Sequence, residues 1–360
     1  FLKGNKKVFV LLGQAGGGKS TFLEYVEYKL WEKFDPLEEF ESFIPIRIEL
    51  GSLMQPATRA VHEHLTRLDF TDSQIQELKE KGKVLIILDG YDEGRHEGRP
   101  LDQFLYVTNR LDEWNGKVII SGRLFATDAL NPDMGDHLER FAPKEAQRYR
   151  TDLVEEWLIC PFSPEQVEEC VGRFVINNSS ELKHYPDWFK DKGAKFIEVI
   201  RQNPSLSELV QTPFILHTIM EVLPKLIAEK SNARSKIIKA EIYSHYTKRC
   251  FEREFSKEVN QKRPDGIGSE SLATLATEFC QQFANELGYD PYVIYIEENS
   301  DVKTKWEFYL SDKEISRFLM NICSDVIRKR NINYQGRERA QYAFVHLELR
   351  DYFLSLLSED

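Results

Sequence analysis

Short apolar runs alternate, along the first part of the chain, with segments whose apolar residues recur every three or four positions. Four runs are rich in Val, Ile and Leu and are bounded by Gly, Asp or Pro, at residues 8–12, 44–50, 84–88 and 118–121. The segment after the first run places Leu23, Val26 and Leu30 at helical spacing. Strands that are apolar throughout and alternate with helices are typical of a parallel sheet covered on both faces. The pattern therefore predicts an α/β domain that binds its ligand beyond the carboxyl ends of the strands.

A glycine-rich segment, GQAGGGKST at residues 13–21, follows the first predicted strand and precedes the first predicted helix. It matches the pattern G-x-x-x-x-G-K-[ST] in full. Glycines let backbone N–H groups converge on phosphate oxygens, and the helix that follows adds its positive end. A lysine then reaches the β- and γ-phosphates, and a serine hydroxyl can ligate Mg²⁺. The pattern predicts a nucleotide site formed by Gly13, Ala15, Gly16, Gly17, Gly18, Lys19, Ser20 and Thr21.

Three carboxylates end the third apolar run, in the sequence LDGYDEG at residues 88–94. Carboxylates this close repel one another unless a cation lies among them, and Mg²⁺ carried by a nucleotide would supply that cation. Asp89, at the strand end, is predicted to hold the magnesium directly or through water. Glu93 or Asp92 is predicted to orient and deprotonate an attacking water, and the sequence leaves the choice between them open.

Composition and charge narrow the class of protein. The 360 residues are enough for two or three domains, and 41% hydrophobic with 30% charged residues is typical of a globular protein. A formal charge of −11 makes nucleic acid an improbable partner. No apolar stretch is long enough to span a membrane, and the spacing of the five cysteines indicates reduced thiols, so we expect a cytoplasmic location and no membrane partner.

The sequence Asp89-Gly90-Tyr91-Asp92-Glu93 resembles the acidic motif of the NACHT branch of the STAND signalling NTPases. IPIRIEL at residues 44–50 resembles the strand that lies between the two nucleotide motifs in that family. KVIISGR at residues 117–123 resembles the sensor strand, which implies that Arg123 faces the γ-phosphate. Two departures stand out: the loop has three consecutive glycines, and Ser-Gly-Arg replaces the more familiar Ser-Arg or Thr-Arg.

The resemblance continues through the rest of the chain. CPFSPEQVEECVGRFV (160–175) and LVQTPFILHTIMEVL (209–223) resemble the family's helical domain, and its adenine-packing proline corresponds to Pro213. YAFVHLELRDYFLSLL (342–357) resembles the end of a winged-helix domain, whose histidine on the ADP β-phosphate corresponds to His346. The residue pattern at the C-terminal end of the sequence predicts a hairpin that turns near Gly336. It then predicts a helix that has Leu349, Tyr352, Phe353 and Leu356 on one face.

The resemblance implies an α/β P-loop NTPase: a parallel sheet domain covered by helices (1–157), a small helical domain (158–232) and a winged-helix domain (233–360). It implies an ATP- and ADP-binding switch, with Mg²⁺, slow ATP hydrolysis and self-oligomerisation on activation, in innate-immune or stress-type signalling. Sensor and effector domains would lie outside this chain. The alternative is a catalytic NTPase or kinase whose turnover drives work or phosphoryl transfer. The absence of an N-K-x-D motif favours ATP over GTP.

Overall fold

A five-stranded parallel sheet forms the centre of the first part of the chain. The computed structural model describes residues 1–35, 42–93, 95–96, 99–100, 104–123, 137–178, 185–188, 190–229, 237–257, 269–288, 293–295, 313–334 and 337–357. The chain divides into two compact units: the first is Phe1–Cys160 with Asp290–Tyr292 and Asn331–Gln341, and the second is Pro161–Tyr289, Val293–Arg330 and Tyr342–Asp360. Within the described ranges, no helix combines the length and the apolar composition that crossing a membrane requires.

The strands of residues 1–160 follow the apolar runs of the sequence. They are β1 (Val8–Leu12), β2 (Ile44–Glu49), β3 (Val84–Asp89), β4 (Arg95–His96), β5 (Arg99–Pro100), β6 (Gly116–Gly122), β7 (Lys144–Glu145), β8 (Arg148–Tyr149) and β9 (Val154–Leu158). The central sheet has the order β2-β3-β6-β1-β9, and every neighbouring pair in it is parallel. The four predicted strands are thus confirmed as β1, β2, β3 and β6. β9 was not predicted.

Helices cover both faces of this sheet. They are α1 (Lys19–Glu32), α2 (Ala60–Arg67), α3 (Asp72–Lys81) and the single turn α4 (Leu105–Thr108). Alternate side chains of each strand point to opposite faces, so the apolar strands contribute side chains to two hydrophobic cores, one on each face of the sheet. On one face Leu23 of α1 packs with Phe9, Leu11 and Ile87, while Val26 and Leu30 lie at the edge of that core. The larger core on the other face contains α2 and α3 residues. The predicted covered sheet and the predicted helix after the glycine-rich segment are confirmed.

The second unit is mainly helical. Its helices are α5 (Pro164–Asn177), α6 (Ala194–Gln202), α7 (Pro204–Leu209), α8 (Pro213–Glu229), α9 (Lys239–Lys257), α10 (Ser269–Leu287), α11 (Lys313–Ile322) and α12 (Leu347–Leu356). α5 begins at a capping box in which the Ser163 side chain accepts from the Gln166 N–H and the Gln166 side chain accepts from the Ser163 N–H.

A second sheet precedes the last helix, with strands β10 (Val293–Tyr295), β11 (Ile327–Tyr334) and β12 (Arg337–Phe344) in the order β10-β12-β11. The predicted pair of strands before the last helix is therefore confirmed, while its turn near Gly336 lies outside the described residues. In α12, Leu349, Tyr352 and Phe353 are buried, and Leu356 is half-buried. This is the apolar helix face that the sequence predicted.

Candidate functional site

The glycine-rich loop leaves β1 and enters α1 through backbone conformations that need glycine. Gly16 and Gly18 have φ angles of +68° and +93°, in the left-handed region that side chains disfavour. A Cβ on Gly17 would lie 3.0 Å from the Gln14 carbonyl oxygen, which accepts a hydrogen bond from the Gly17 N–H at 3.1 Å. At each of the three consecutive glycines, the backbone geometry therefore disfavours a larger residue. The loop is a defined turn at the start of α1, which is the arrangement that cradles phosphate.

Lys19 places its ammonium inside this loop. Its Nζ donates to the carbonyl oxygens of Gly13 at 2.9 Å and Gln14 at 3.0 Å. Burial lowers the pKa of Lys19, while Asp92 and the other acids of the motif partly oppose this effect. Since Asp89, Asp92, Glu93 and Arg123 all act electrostatically on this one ammonium, the fold has brought together the lysine, the acidic cluster and the arginine that the sequence singled out.

Asp89 ends β3 with a buried carboxylate that is only 6% exposed. The Ser121 hydroxyl, from β6, donates to Asp89 Oδ1 at 2.5 Å and accepts from the Gly90 N–H at 2.9 Å. Asp89 Oδ2 faces the guanidinium of Arg47, on β2, at 3.8 Å. A buried charge needs such partners, because an uncompensated carboxylate is costly to desolvate. The position of Asp89 is therefore fixed from both neighbouring strands.

Arg123 and Asp92 are held together by two contacts. Asp92 Oδ1 accepts the backbone N–H of Arg123 at 2.9 Å, and Asp92 Oδ2 lies 2.9 Å from Arg123 Nε. This paired geometry is stronger than a single surface ion pair. The Arg123 side chain remains 38% exposed at the end of β6. Asp92 thus orients the arginine that the resemblance places at the γ-phosphate.

Glu93 lies over two glycines at the ends of β2 and β3. A Cβ on Gly51 would lie 3.2 Å from Glu93 Cβ, and a Cβ on Gly90 would lie 3.3 Å from the Glu93 carboxyl carbon. Gly90 has a φ of +78°, so the turn after Asp89 also needs glycine for its backbone. These glycines leave the space that the Glu93 side chain occupies.

The residues present fit a magnesium nucleotide. Mg²⁺ prefers oxygen ligands and usually binds through one or two carboxylates together with phosphate oxygens. Asp89 offers a fixed carboxylate, and Ser20 offers a hydroxyl in the first turn of α1, directly after the lysine of the loop. Bound Mg²⁺ would neutralise charge that develops on the phosphates. Ser20 and Asp89 remain the predicted metal ligands.

Two predicted nucleotide residues, Pro213 and His346, lie in the second unit, one on each side of Phe214: Pro213 precedes it in the chain, and His346 contacts its ring. Pro213 is the first residue of α8, as a helix-start proline should be, and Phe214 follows it. The ring of His346, just before α12, lies against the ring of Phe214 with centroids 3.7 Å apart. Burial, reinforced by Arg328, lowers the pKa of His346 to about 4, so this imidazole is neutral at pH 7. The contacts of Pro213 and His346 with a nucleotide stay predictions.

Three residues of the site were not found from the sequence: Arg47, Gly51 and Ser121. Arg47 and Ser121 each interrupt an otherwise apolar strand with a polar side chain near its carboxyl end, and that interruption was the available signal. Gly51 follows β2 in the same way that Gly90 follows β3. A strand end facing a ligand is where polar side chains are tolerated in a parallel sheet.

We expect Ser121→Ala to weaken the site without abolishing folding. The change removes the hydroxyl donor of Asp89 and leaves the Gly90 N–H buried without its acceptor, which should cost roughly 1–3 kcal/mol of unfolding free energy. Asp89 would then hold Mg²⁺ less well. Thermal unfolding with ADP, with and without Mg²⁺, checks this: the stabilisation that Mg²⁺ adds should shrink. An undiminished magnesium effect would mean that Ser121 supports only the sheet.

Comparisons with known proteins give one family match. Residues 7–178 match the family model described as the NACHT domain. No curated protein matches the chain. Among solved structures, the chain is similar to Drosophila ORC bound to DNA, with 11% identity, a TM-score of 0.40, and coverage of 98% of this chain and 90% of that one.

A second solved structure is Cdc6p from Pyrobaculum aerophilum, with 15% identity, a TM-score of 0.33, and coverage of 99% of this chain and 90% of that one. Structural likeness at these levels carries no argument about function. The family match covers the loop, the acidic strand end and the sensor strand, which are the elements that meet in the site. Residues 7–178 are therefore a NACHT domain, and this chain carries a P-loop NTPase module.

Proposed function

We propose that this chain is the nucleotide-dependent switch of a STAND-type signalling protein, which binds ATP and ADP with Mg²⁺ and hydrolyses ATP slowly. In this proposal the N–H groups of the loop and the Lys19 ammonium bind the phosphates. Asp89 and Ser20 hold the metal, Glu93 accepts a proton from the attacking water, and Arg123 approaches the γ-phosphate. The nucleotide acts mainly as a ligand that shifts the protein between a closed and an open form.

The observation that carries this proposal is the paired contact between Asp92 and Arg123. The guanidinium of Arg123 is paired with Asp92 through Nε, so it must leave this carboxylate to reach the γ-phosphate, and leaving it costs free energy before the chemical step. A fast NTPase gains most from donors that are already aimed at the developing charge. The resting geometry therefore favours slow turnover, as a switch requires.

Two measurements on the purified protein test the proposal against the alternative of a fast NTPase or kinase. The first is the identity of the nucleotide released on denaturation, and we expect ADP. The second is steady-state ATP turnover, which we expect to be well below about one per second, at the low end of enzyme rates. Multiple turnover faster than this, or phosphoryl transfer to a protein substrate, would favour the alternative.

The wider role follows from the same proposal. Exchange of ADP for ATP would permit self-oligomerisation, and sensor and effector domains of a longer protein would supply the signal and the output. Innate-immune or stress-type signalling in the cytoplasm is the proposed setting. Size-exclusion chromatography with light scattering, in ADP and in a non-hydrolysable ATP analogue, tests the oligomerisation step.

His346→Leu should speed ADP release if His346 contacts the β-phosphate. Leucine keeps the bulk against Phe214 but removes the donor, and a hydrogen bond to a charged phosphate contributes about 1.5–3 kcal/mol. We expect ADP to dissociate about ten- to a hundredfold faster, measured by displacement of a fluorescent ADP in stopped flow. Unchanged ADP release would contradict the phosphate contact.

Acid stability of the ligand-free protein is the matched control. The pKa of His346 is lowered from 6.5 to about 4, so the unfolded chain binds a proton more readily than the folded one. The contribution of His346 to the unfolding free energy should be fully present above pH 6.5 and should be lost as the pH falls from 6.5 towards 4. His346→Leu should reduce this loss whether or not the residue touches ADP, so the two measurements separate packing from binding.

A further inference from the structure

Arg47 is surrounded by carboxylates from three elements. Its Nε lies 2.8 Å from Glu27 Oε2, and its Nη2 lies 3.5 Å from Glu24, both on α1. Its Nη1 lies 3.6 Å from Glu49, on its own strand, and 3.8 Å from Oδ2 of Asp89, on the neighbouring strand. One guanidinium, only 20% exposed, thus contacts four acids.

The strand register explains why Arg47 reaches Asp89. Ile87 and Asp89 of β3 pair with Arg47 and Glu49 of β2, and alternate residues share a face. Arg47 therefore points to the face covered by α1, one diagonal step from Asp89. The helix it contacts is also the one that begins with Lys19 and Ser20. A single side chain thus links the buried Asp89 carboxylate to the helix of the phosphate loop.

We propose that Arg47 is a positioning residue that partly neutralises the charge of the Asp89 carboxylate and so lowers the affinity of the site for Mg²⁺. The inference rests on the proposed role of Asp89 as a magnesium ligand. The two oxygens of Asp89 have different partners: Oδ1 is held by Ser121, and Oδ2 faces Arg47. A metal ion that uses Oδ2 therefore meets a positive charge already beside it. Glu24 and Glu27 draw the guanidinium towards α1 and so moderate this repulsion.

The charge of Arg47 should be visible as a change in magnesium dependence. A fixed positive charge several Å from a divalent cation weakens its binding by about tenfold, even in a well-screened site. We expect Arg47→Gln to lower, by about tenfold, the Mg²⁺ concentration that half-saturates the enhancement of ADP binding. Fluorescent-ADP binding over a Mg²⁺ titration at fixed ionic strength measures this. Arg47→Lys, which keeps the charge, should restore the wild-type midpoint.

Glu27→Gln is the matched control. It weakens the 2.8 Å contact of Arg47 but leaves the positive charge beside Asp89. It should lower the unfolding temperature, as Arg47→Gln should also do, but it should not lower the Mg²⁺ midpoint. Arg47→Gln could fail to fold because the carboxylates around Arg47 then repel one another. In that case the double variant R47Q/E27Q, which removes one charge of each sign, should show the same fall in the Mg²⁺ midpoint.

Three outcomes separate this inference from the function on which it rests. A Mg²⁺ midpoint that falls in Arg47→Gln or in the double variant, and returns in Arg47→Lys, supports it. A midpoint that stays at the wild-type value while Asp89→Asn abolishes the magnesium effect overturns the role of Arg47 and leaves the proposed metal ligand intact. The proposed metal site itself is refuted if Mg²⁺ does not change ADP binding by the wild type, or if Asp89→Asn shows the same Mg²⁺ enhancement of ADP binding as the wild type.

Discussion

Lys19→Ala should abolish tight nucleotide binding. The Lys19 ammonium lies inside the loop, against the carbonyl oxygens of Gly13 and Gln14, where β- and γ-phosphates are expected to bind. A charge-assisted contact of this kind contributes about 3 kcal/mol, which corresponds to a loss of affinity of about a hundredfold or more. Calorimetric titration with ADP and with ATP in the presence of Mg²⁺ measures the loss.

Lys29→Ala is the control for this variant. Lys29 lies on the same helix, but its ammonium is paired with Glu32 at 2.7 Å on the surface and lies over the rings of Tyr25 and Tyr28. Removing it changes the charge of the chain by the same amount and should leave nucleotide affinity unchanged. Equal losses in both variants would point to general electrostatics, and an unchanged affinity in Lys19→Ala would remove residues 13–21 from the binding site.

The sequence predicted the centre of this site because each part of it is local. A phosphate loop needs its glycines, lysine and serine within nine consecutive residues, and a buried parallel strand shows itself as an uninterrupted apolar run. Parallel strands end at the same edge, so the residues after β1, β3 and β6 had to lie close together. The loop after β1 turns through positive φ at Gly16 and Gly18, conformations that glycine adopts readily.

The features that the sequence did not predict depend on how neighbouring strands are aligned or on how exposed a strand is. The contact of Arg47 with Asp89 exists because Glu49 pairs with Asp89 across the two strands, and the sequence of one strand does not reveal its register with another. β9 was missed because it lies at the edge of the sheet: only Val154 of its five residues is buried, so it shows no apolar run. The role of Ser121 also could not be predicted, because Ser121 acts on Asp89 of the neighbouring strand β3.

Glu93→Gln should leave ATP bound and stop its hydrolysis. The amide keeps the shape of the side chain that lies over Gly51 and Gly90, but it cannot accept a proton from water. Loss of a general base lowers a rate by about a hundred- to ten-thousandfold. Single-turnover assays with radiolabelled ATP are suited to a slow enzyme, and ATP affinity measured on the same preparation shows whether binding is preserved.

Asp92→Asn is the decisive comparison, because it changes the neighbouring acid to the same kind of amide. Asp92 accepts the backbone N–H of Arg123 and pairs with its guanidinium, so the proposal gives Asp92 the positioning of the arginine and Glu93 the role of the base. The variant should lower the unfolding temperature by weakening this pair, and because Arg123 is then freer to reach the γ-phosphate, hydrolysis should persist or accelerate. If Asp92→Asn instead abolishes hydrolysis while Glu93→Gln retains it, Asp92 is the base, and the contact with Arg123 must open before each turnover.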